Sequence, residues 1–151
     1  MLVALFVGWI VLDQLTKSVF SGVQPGTSLG LVLGGLVDVR LVHNTGAAWG
    51  MFAGNTALLG VFSLVVVLAL VGYFAYDREN VNLLQTIGIA LVGAGGIGNA
   101  IDRFIQGYVT DFIAVTFIDF PVFNVADIGV TCGVVLLFLG FALQWHREGT
   151  A

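Results

Sequence analysis

Two aspartates sixteen residues apart, Asp111 and Asp127, stand in short polar motifs, Val109-Thr110-Asp111-Phe112 and Phe123-Asn124-Val125-Ala126-Asp127. Paired carboxyls have a particular chemistry. Held close together they do not both ionise easily, so the pair shares one proton: the charged member activates water, and the protonated one polarises a carbonyl or serves a leaving amine. This is aspartic-peptidase chemistry. Spacing alone does not bring the two together, but a connection folding back from a third helix to the start of a fourth would. A second reading stays open at this point, in which each aspartate caps a helix or pairs with Arg103 or Lys17.

Other polar residues gather in three further motifs. Asn99, Asp102 and Arg103 are spaced i, i+3 and i+4 and share one face at the end of Gly93-Ala94-Gly95-Gly96-Ile97-Gly98-Asn99-Ala100-Ile101-Asp102-Arg103. The small residues there allow helices to touch backbone to backbone, and an Asp beside an Arg lowers the cost of placing either near lipid. Asn44 lies in His43-Asn44-Thr45-Gly46-Ala47-Ala48-Trp49-Gly50, where Gly46 and its small neighbours let backbone approach a ligand and Trp49 suits a membrane interface. Asp13 and Lys17 close the first apolar segment in Leu12-Asp13-Gln14-Leu15-Thr16-Lys17.

The elements that must position these residues follow from composition. The 151-residue chain is 58% hydrophobic and 9% charged, with a mean hydropathy of +1.03. That exceeds what one soluble core needs, so most of the apolar surface faces lipid. The chain reads as one integral membrane domain over residues 1–151. Four stretches have the length of spanning helices, given the ~20 apolar residues needed to cross the hydrocarbon: 2–20, 56–76, 83–101 and 123–145. The first lacks a basic leading region and runs into Asp13, Gln14 and Lys17 instead of a cleavage site, so it reads as a retained helix and not a signal peptide. No segment marks the chain for lipidation of its own.

With four spans, the two long connections, 21–55 and 103–122, share one membrane face, and both termini share the other with the short turn Asp77-Arg78-Glu79-Asn80. Lys17, Asn44, Asp102, Arg103, Asp111, Asn124 and Asp127 then gather near a single surface. Helix length agrees: Asp127 precedes Trp145 by roughly 27 Å of helix at 1.5 Å per residue. Arg and Lys are too evenly divided for charge to fix the orientation. Within 21–55, the alternation of Leu36-Val37-Asp38-Val39-Arg40-Leu41-Val42 reads as a half-buried strand. Glycines at 22, 26, 30, 34 and 35 and Pro25 punctuate what precedes it, and a small extramembrane sheet is expected.

Several chemistries are excluded or weakened. Nine acidic residues against five Lys and Arg, with no basic run, argue against nucleic-acid binding. The single cysteine, Cys132, permits no internal disulfide and no cysteine metal cluster, and reads as a packing residue. Gly93, Gly95 and Gly98 spell G-x-G-x-x-G with Asp119 some twenty residues on, but they end a membrane span and lack the strand before a dinucleotide turn. Gly26-Thr27-Ser28-Leu29-Gly30 spells G-x-S-x-G without a strand-turn-helix context. His43 and His146 fall on opposite faces and read as interfacial hydrogen-bonding residues, and no His-Glu-x-x-His is present. The non-enzyme alternative is a small ion or proton transporter, which would distribute polar residues through the bilayer depth with internal repeats. The polar motifs lie instead toward one face, and no repeat is visible. A structural membrane subunit would leave those motifs without a role.

Taken in order, the five motifs resemble the signature blocks of bacterial lipoprotein signal peptidase, signal peptidase II, from the first helix to the last. The resemblance implies an aspartic endopeptidase, a hydrolase of the bacterial cytoplasmic membrane. Such an enzyme removes the signal peptide from diacylglyceryl-modified prolipoproteins just before the lipidated cysteine. It implies Asp111 and Asp127 as the catalytic pair. Asn44, Gly46, Asn99, Asp102, Arg103 and Asn124 match residues that line the site or position substrate, and Asp13 with Lys17 matches a supporting pair. It further implies four transmembrane helices, a β-sheet cradle outside the membrane, and a mobile periplasmic loop or helix over 103–122. Both termini would be cytoplasmic and the site near the outer face. The enzyme would act as a monomer on lipid-borne substrate, with no cofactor or metal. Trp49 stands where phenylalanine is common, Thr110 where an aliphatic residue is frequent, and the N-terminus is shorter and less basic than usual.

Overall fold

A computed structural model describes residues 2–148. The chain runs α1 (Leu2–Ser18), β1 (Ser28–Val32), β2 (Val37–Asn44), α2 (Thr56–Tyr76), α3 (Leu83–Ile105), β3 (Val109–Val115) and α4 (Val125–Glu148). It is mostly helical with a three-stranded antiparallel sheet in the order β1-β2-β3. Among the described residues three helices, α2, α3 and α4, are long and apolar enough to cross a membrane. The first helix differs from expectation. At 17 residues it ends at Ser18, because the hydrogen bonds from Val19, Phe20 and Ser21 reach only three residues back and close the helix in a tight turn.

The central element is α3, which packs against α1, α2 and α4. Its close packing comes from small residues. A Cβ on Gly88 would lie 2.7 Å from the Gly133 carbonyl oxygen, and one on Gly133 would lie 2.8 Å from that of Gly88, so α3 and α4 meet backbone to backbone. Asn82 and Gln85 form a capping box at the start of α3. Asn82 also donates to the Gly140 carbonyl and Gln85 to Gln144, both on α4. By contrast α2 buries only Gly60 and Val67 and presents Leu58, Phe62, Val65 and Leu68 outward. A helix so apolar and so exposed belongs in lipid.

The 103–122 connection carries β3 where a loop or helix was expected. Its strand forms because β2 offers an antiparallel edge, with Val37 opposite Val115 and Asn44 opposite Val109 and a register shift between Val39 and Val42. On β3's other side, the Phe112 and Ile113 amides donate to the Phe123 carbonyl, and the Phe123 amide to Ile113. The alternation of a strand then sorts its side chains. Phe112 stacks on Phe20 at 4.5 Å in a small core with Leu41, while Asp111 and Val109 line the cavity described below.

Candidate active site

Asp111 is brought to Asp127 by three successive local structures. Asp111 lies in β3, and the Ile113 to Phe123 bridge draws the chain back alongside that strand. The next residue, Asn124, caps α4. Its side-chain oxygen accepts from the Asp127 amide at 3.0 Å, and Asp127 Oδ2 accepts from the Asn124 amide at 3.1 Å. This reciprocal arrangement is a capping box. Asp127 thus does cap a helix, and the same cap delivers its carboxylate to the site. Both aspartates line one cavity of about 500 Å³.

Every carboxylate oxygen of the pair has a donor. Asp111 Oδ1 accepts from Asn124 Nδ2 at 2.6 Å and Oδ2 from Asn44 Nδ2 at 2.9 Å. Asp127 Oδ1 accepts from Asn99 Nδ2 at 2.8 Å. The asparagines are themselves fixed: Asn99 Oδ1 accepts from Asn124 Nδ2 at 3.1 Å and from Lys17 Nζ at 2.9 Å. Asp111 is 2% exposed. Burial, and then the neighbouring charge of Asp127, push its carboxyl up to about 7, against the opposing effect of the Asn44 and Asn124 hydrogen bonds.

Behind the pair sits a buried ionic cluster. Lys17 Nζ lies 2.9 Å from Asp13 Oδ2 and 3.1 Å from Asp102 Oδ2. Asp102 Oδ2 also accepts from the Thr110 amide, next to Asp111, and Asp13 Oδ1 accepts from the Ala126 amide, next to Asp127. Gln14 donates to both aspartates of the cluster and to the Gly98 carbonyl. A Cβ on Gly98 would lie 2.5 Å from Asp13 Oδ2, so the glycine makes room for the carboxylate. Asp102 therefore pairs with Lys17 and not with the adjacent Arg103.

Arg103 turns into the cavity. Its Nη2 donates to the Gly46 carbonyl at 3.3 Å, and its buried Nε has no hydrogen-bond partner among the described residues. Gly46 in turn donates its amide to Asn44 Oδ1 at 2.9 Å. A Cβ there would lie 2.7 Å from the Met51 carbonyl, which explains the glycine. Asp13, Lys17, Asn44, Gly46, Asn99, Asp102, Arg103, Asp111, Asn124 and Asp127 thus join one hydrogen-bonded and ionic network. The remaining wall is mostly apolar, with Ala47, Ala48, Val122 and Phe123 and with Ile128 and Val130 of α4, next to Thr131 and Cys132. Trp49 packs edge-on against Phe120 at 5.8 Å and is held at φ 53°, a backbone region that a bulky residue rarely adopts.

Four residues are placed otherwise than expected or were not anticipated. Cys132 is exposed and lines the cavity instead of packing. His43 stacks on Tyr108 at 3.7 Å. Gln14 and Trp9, whose indole donates to the Val125 carbonyl at 3.1 Å, were not read as site residues. Their signal was present as spacing: Trp9 lies one turn before Asp13, and Gln14 lies between Asp13 and Lys17. Among the described residues no cluster of His, Cys, Asp and Glu is arranged to hold a metal. Chemically, two carboxyls sharing a cavity, each held by neutral amide donors, can bind a water and pass its proton.

The sequence profile of the family described as Signal peptidase (SPase) II matches residues 5–143. The lipoprotein signal peptidase of Latilactobacillus sakei subsp. sakei (strain 23K) is 37% identical over 95% of this chain and 96% of its own. That of Staphylococcus aureus (strain JH9) is 34% identical over 91% and 84%. Two bacterial membrane enzymes solved in meso, at 2.3 and 1.9 Å, superpose with TM-scores of 0.87 and 0.80 at 31% and 32% identity. The first covers 97% of this chain and 90% of its own, the second 93% and 91%.

Proposed function

The chain belongs to the signal peptidase II family, and from that premise we propose that it removes the signal peptide from diacylglyceryl-modified prolipoproteins, cutting just before the lipidated cysteine. The observation that carries this reading is the pair of aspartates in one cavity, each with its oxygens held by neutral donors.

The dyad acts singly protonated. Asp111, pushed up to about 7, holds the shared proton, and ionised Asp127 takes a proton from the bound water as its oxygen attacks the scissile carbonyl. Asp111 donates a hydrogen bond to the developing oxyanion. Collapse of the tetrahedral intermediate breaks the C–N bond; a dyad proton goes to the leaving amine of the lipidated cysteine, and the signal peptide leaves with a new carboxyl terminus. Asn44, Asn99 and Asn124 orient the carboxylates. Lys17, with Asp13 and Asp102, anchors Asn99 and the segments on which both aspartates ride. Arg103, with a free buried N–H, donates to a backbone carbonyl of the substrate beside Gly46. The reaction uses no metal or cofactor.

Residues 1–151 act as one membrane domain, as a monomer. α1 is the fourth span, both termini are cytoplasmic, and the sheet and dyad lie at the outer face of the bacterial cytoplasmic membrane. Substrate lipid chains stay in the bilayer against the apolar wall of α4, and the 103–122 segment moves to admit the peptide. The test is cleavage of a diacylglyceryl-modified prolipoprotein by purified protein in detergent, beside Asp111→Asn and Asp127→Asn, with folding checked by thermal melt. Cleavage before the lipidated cysteine by the parent and none by the folded variants is expected. An inert parent, or full rate in either variant, overturns the assignment.

A further inference from the structure

We propose that Trp9 is a positioning residue for Asp127, fixing the rotation of the first turn of α4 so that the carboxylate stays on Asn99. The inference rests on the dyad reading above. Trp9, Asp13 and Lys17 follow at i, i+4 and i+8, one side chain per turn along a single stripe of α1. Trp9 and Asp13 reach the first turn of α4, and Lys17 reaches α3 beside it. Lys17 Nζ donates to Asn99, the partner of Asp127. Asp13 Oδ1 accepts from the Ala126 amide at 2.9 Å, and Trp9 Nε1 donates to the Val125 carbonyl at 3.1 Å.

The last two contacts grip consecutive residues through opposite polar groups, and Asp127 is the next residue along. A peptide held through one polar group can pivot about it; the peptide joining Val125 to Ala126, held at both its carbonyl and its N–H, cannot. Gly129, two residues beyond Asp127, supplies the notch, because a Cβ at that position would overlap Trp9 Nε1. The half-buried indole thus fills the space of a side chain that α4 lacks. Within the membrane its N–H has no bulk water as an alternative partner, so the bond to Val125 persists.

The experiment begins with the parent and Asp127→Asn on a diacylglyceryl-modified prolipoprotein in detergent; cleavage by the first alone establishes the dyad reading independently of Trp9. Trp9→Phe then keeps the ring and removes the N–H, while Gly129→Ala keeps the N–H and fills the notch. Both are expected to lower kcat about tenfold with KM within about twofold, and to displace the kcat–pH profile, as a small misplacement of a reacting group does. A folded Trp9→Phe with parental kcat and pH profile overturns the proposal. So does an effect confined to KM or to melting temperature. If Trp9→Phe does not fold, Gly129→Ala decides on the same readouts, and failure of both to fold makes Trp9 structural and overturns the proposal as well.

Discussion

Asn124 holds both carboxylates at once, donating through Nδ2 to Asp111 and exchanging backbone and side-chain hydrogen bonds with Asp127. Through it the two aspartates share donors as well as a cavity, and their protonation is linked. For Asp111 the sign is definite. Its carboxyl rises from 3.8 to about 7, so between those values the native state keeps a proton that the unfolded chain has released. Stability from this group is full below pH 3.8 and is lost as pH rises through about 7. The parent should therefore melt at higher temperature at pH 5.5 than at pH 8, and folded Asp111→Asn should show a flatter dependence in the same calorimetric series. Cleavage should decline as pH rises through about 7, as the dyad loses its shared proton; a rate that climbs steadily to pH 9 would contradict the assignment. At this scale the sequence was highly legible. Ionisable and amide side chains are so costly near lipid that each of Asp13, Lys17, Asn99, Asp102 and Asn124 pointed to a partner, and each has one. Trp9 was legible only through its spacing one turn before Asp13, because an indole in an apolar helix has the same composition signal whether it faces lipid or grips a carbonyl.

The helices that carry these residues are held together by absent side chains. Gly95 faces Ala126 so closely that an added Cβ would overlap the Ala126 carbonyl oxygen, whereas Gly72 of α2 has nothing within 4 Å of the same added atom. Gly95→Ala should thus cost about 1–3 kcal/mol through overpacking and lower activity, since Ala126 adjoins Asp127. Gly72→Ala should be neutral or add about 0.5–1 kcal/mol through reduced backbone entropy of the unfolded chain. Denaturation of both variants in detergent checks the contrast; equal effects would remove close approach as the reason for the glycine. The helices α2, α3 and α4 were readable from apolar length, and β2 from alternation. β3 was not, because Val109-Thr110-Asp111-Phe112-Ile113-Ala114-Val115 lacks a clean alternation and is fixed as a strand by β2 on one side and Phe123 on the other. The end of α1 was misplaced for a similar reason: Val19 and Phe20 continue the apolar run, yet Phe20 is taken into the core with Leu41 and Phe112.

The molecule as a whole is two regions meeting at the dyad: a bundle whose outer surface is apolar, and a sheet whose β2 and β3 ends supply Asn44 and Asp111. The proposed placement in the membrane predicts which sites a membrane-impermeant maleimide reaches in intact cells of an expressing bacterium. In a Cys132→Ser background, Ser28→Cys on β1 should label from outside, and Glu79→Cys in the turn between α2 and α3 only after permeabilisation. The reverse pattern would invert the topology, and labelling of both from outside would remove α2, the one long helix between the two sites, from the spans. Composition made the membrane class legible, but not the sidedness, since Lys and Arg are balanced between the two ends. The buried cluster on α1 also bears on how the chain is made. Lys17 reaches Asn99 across 82 residues and Asp13 reaches Ala126 across 113, while their bridge to each other spans one turn. While α1 alone has left the ribosome, that bridge is the one of these contacts it can form. On the proposed placement of α1 as a span, the segment enters the bilayer as a charge-neutral couple, and α3 and α4, translated later, are recruited to a polar stripe already waiting for them.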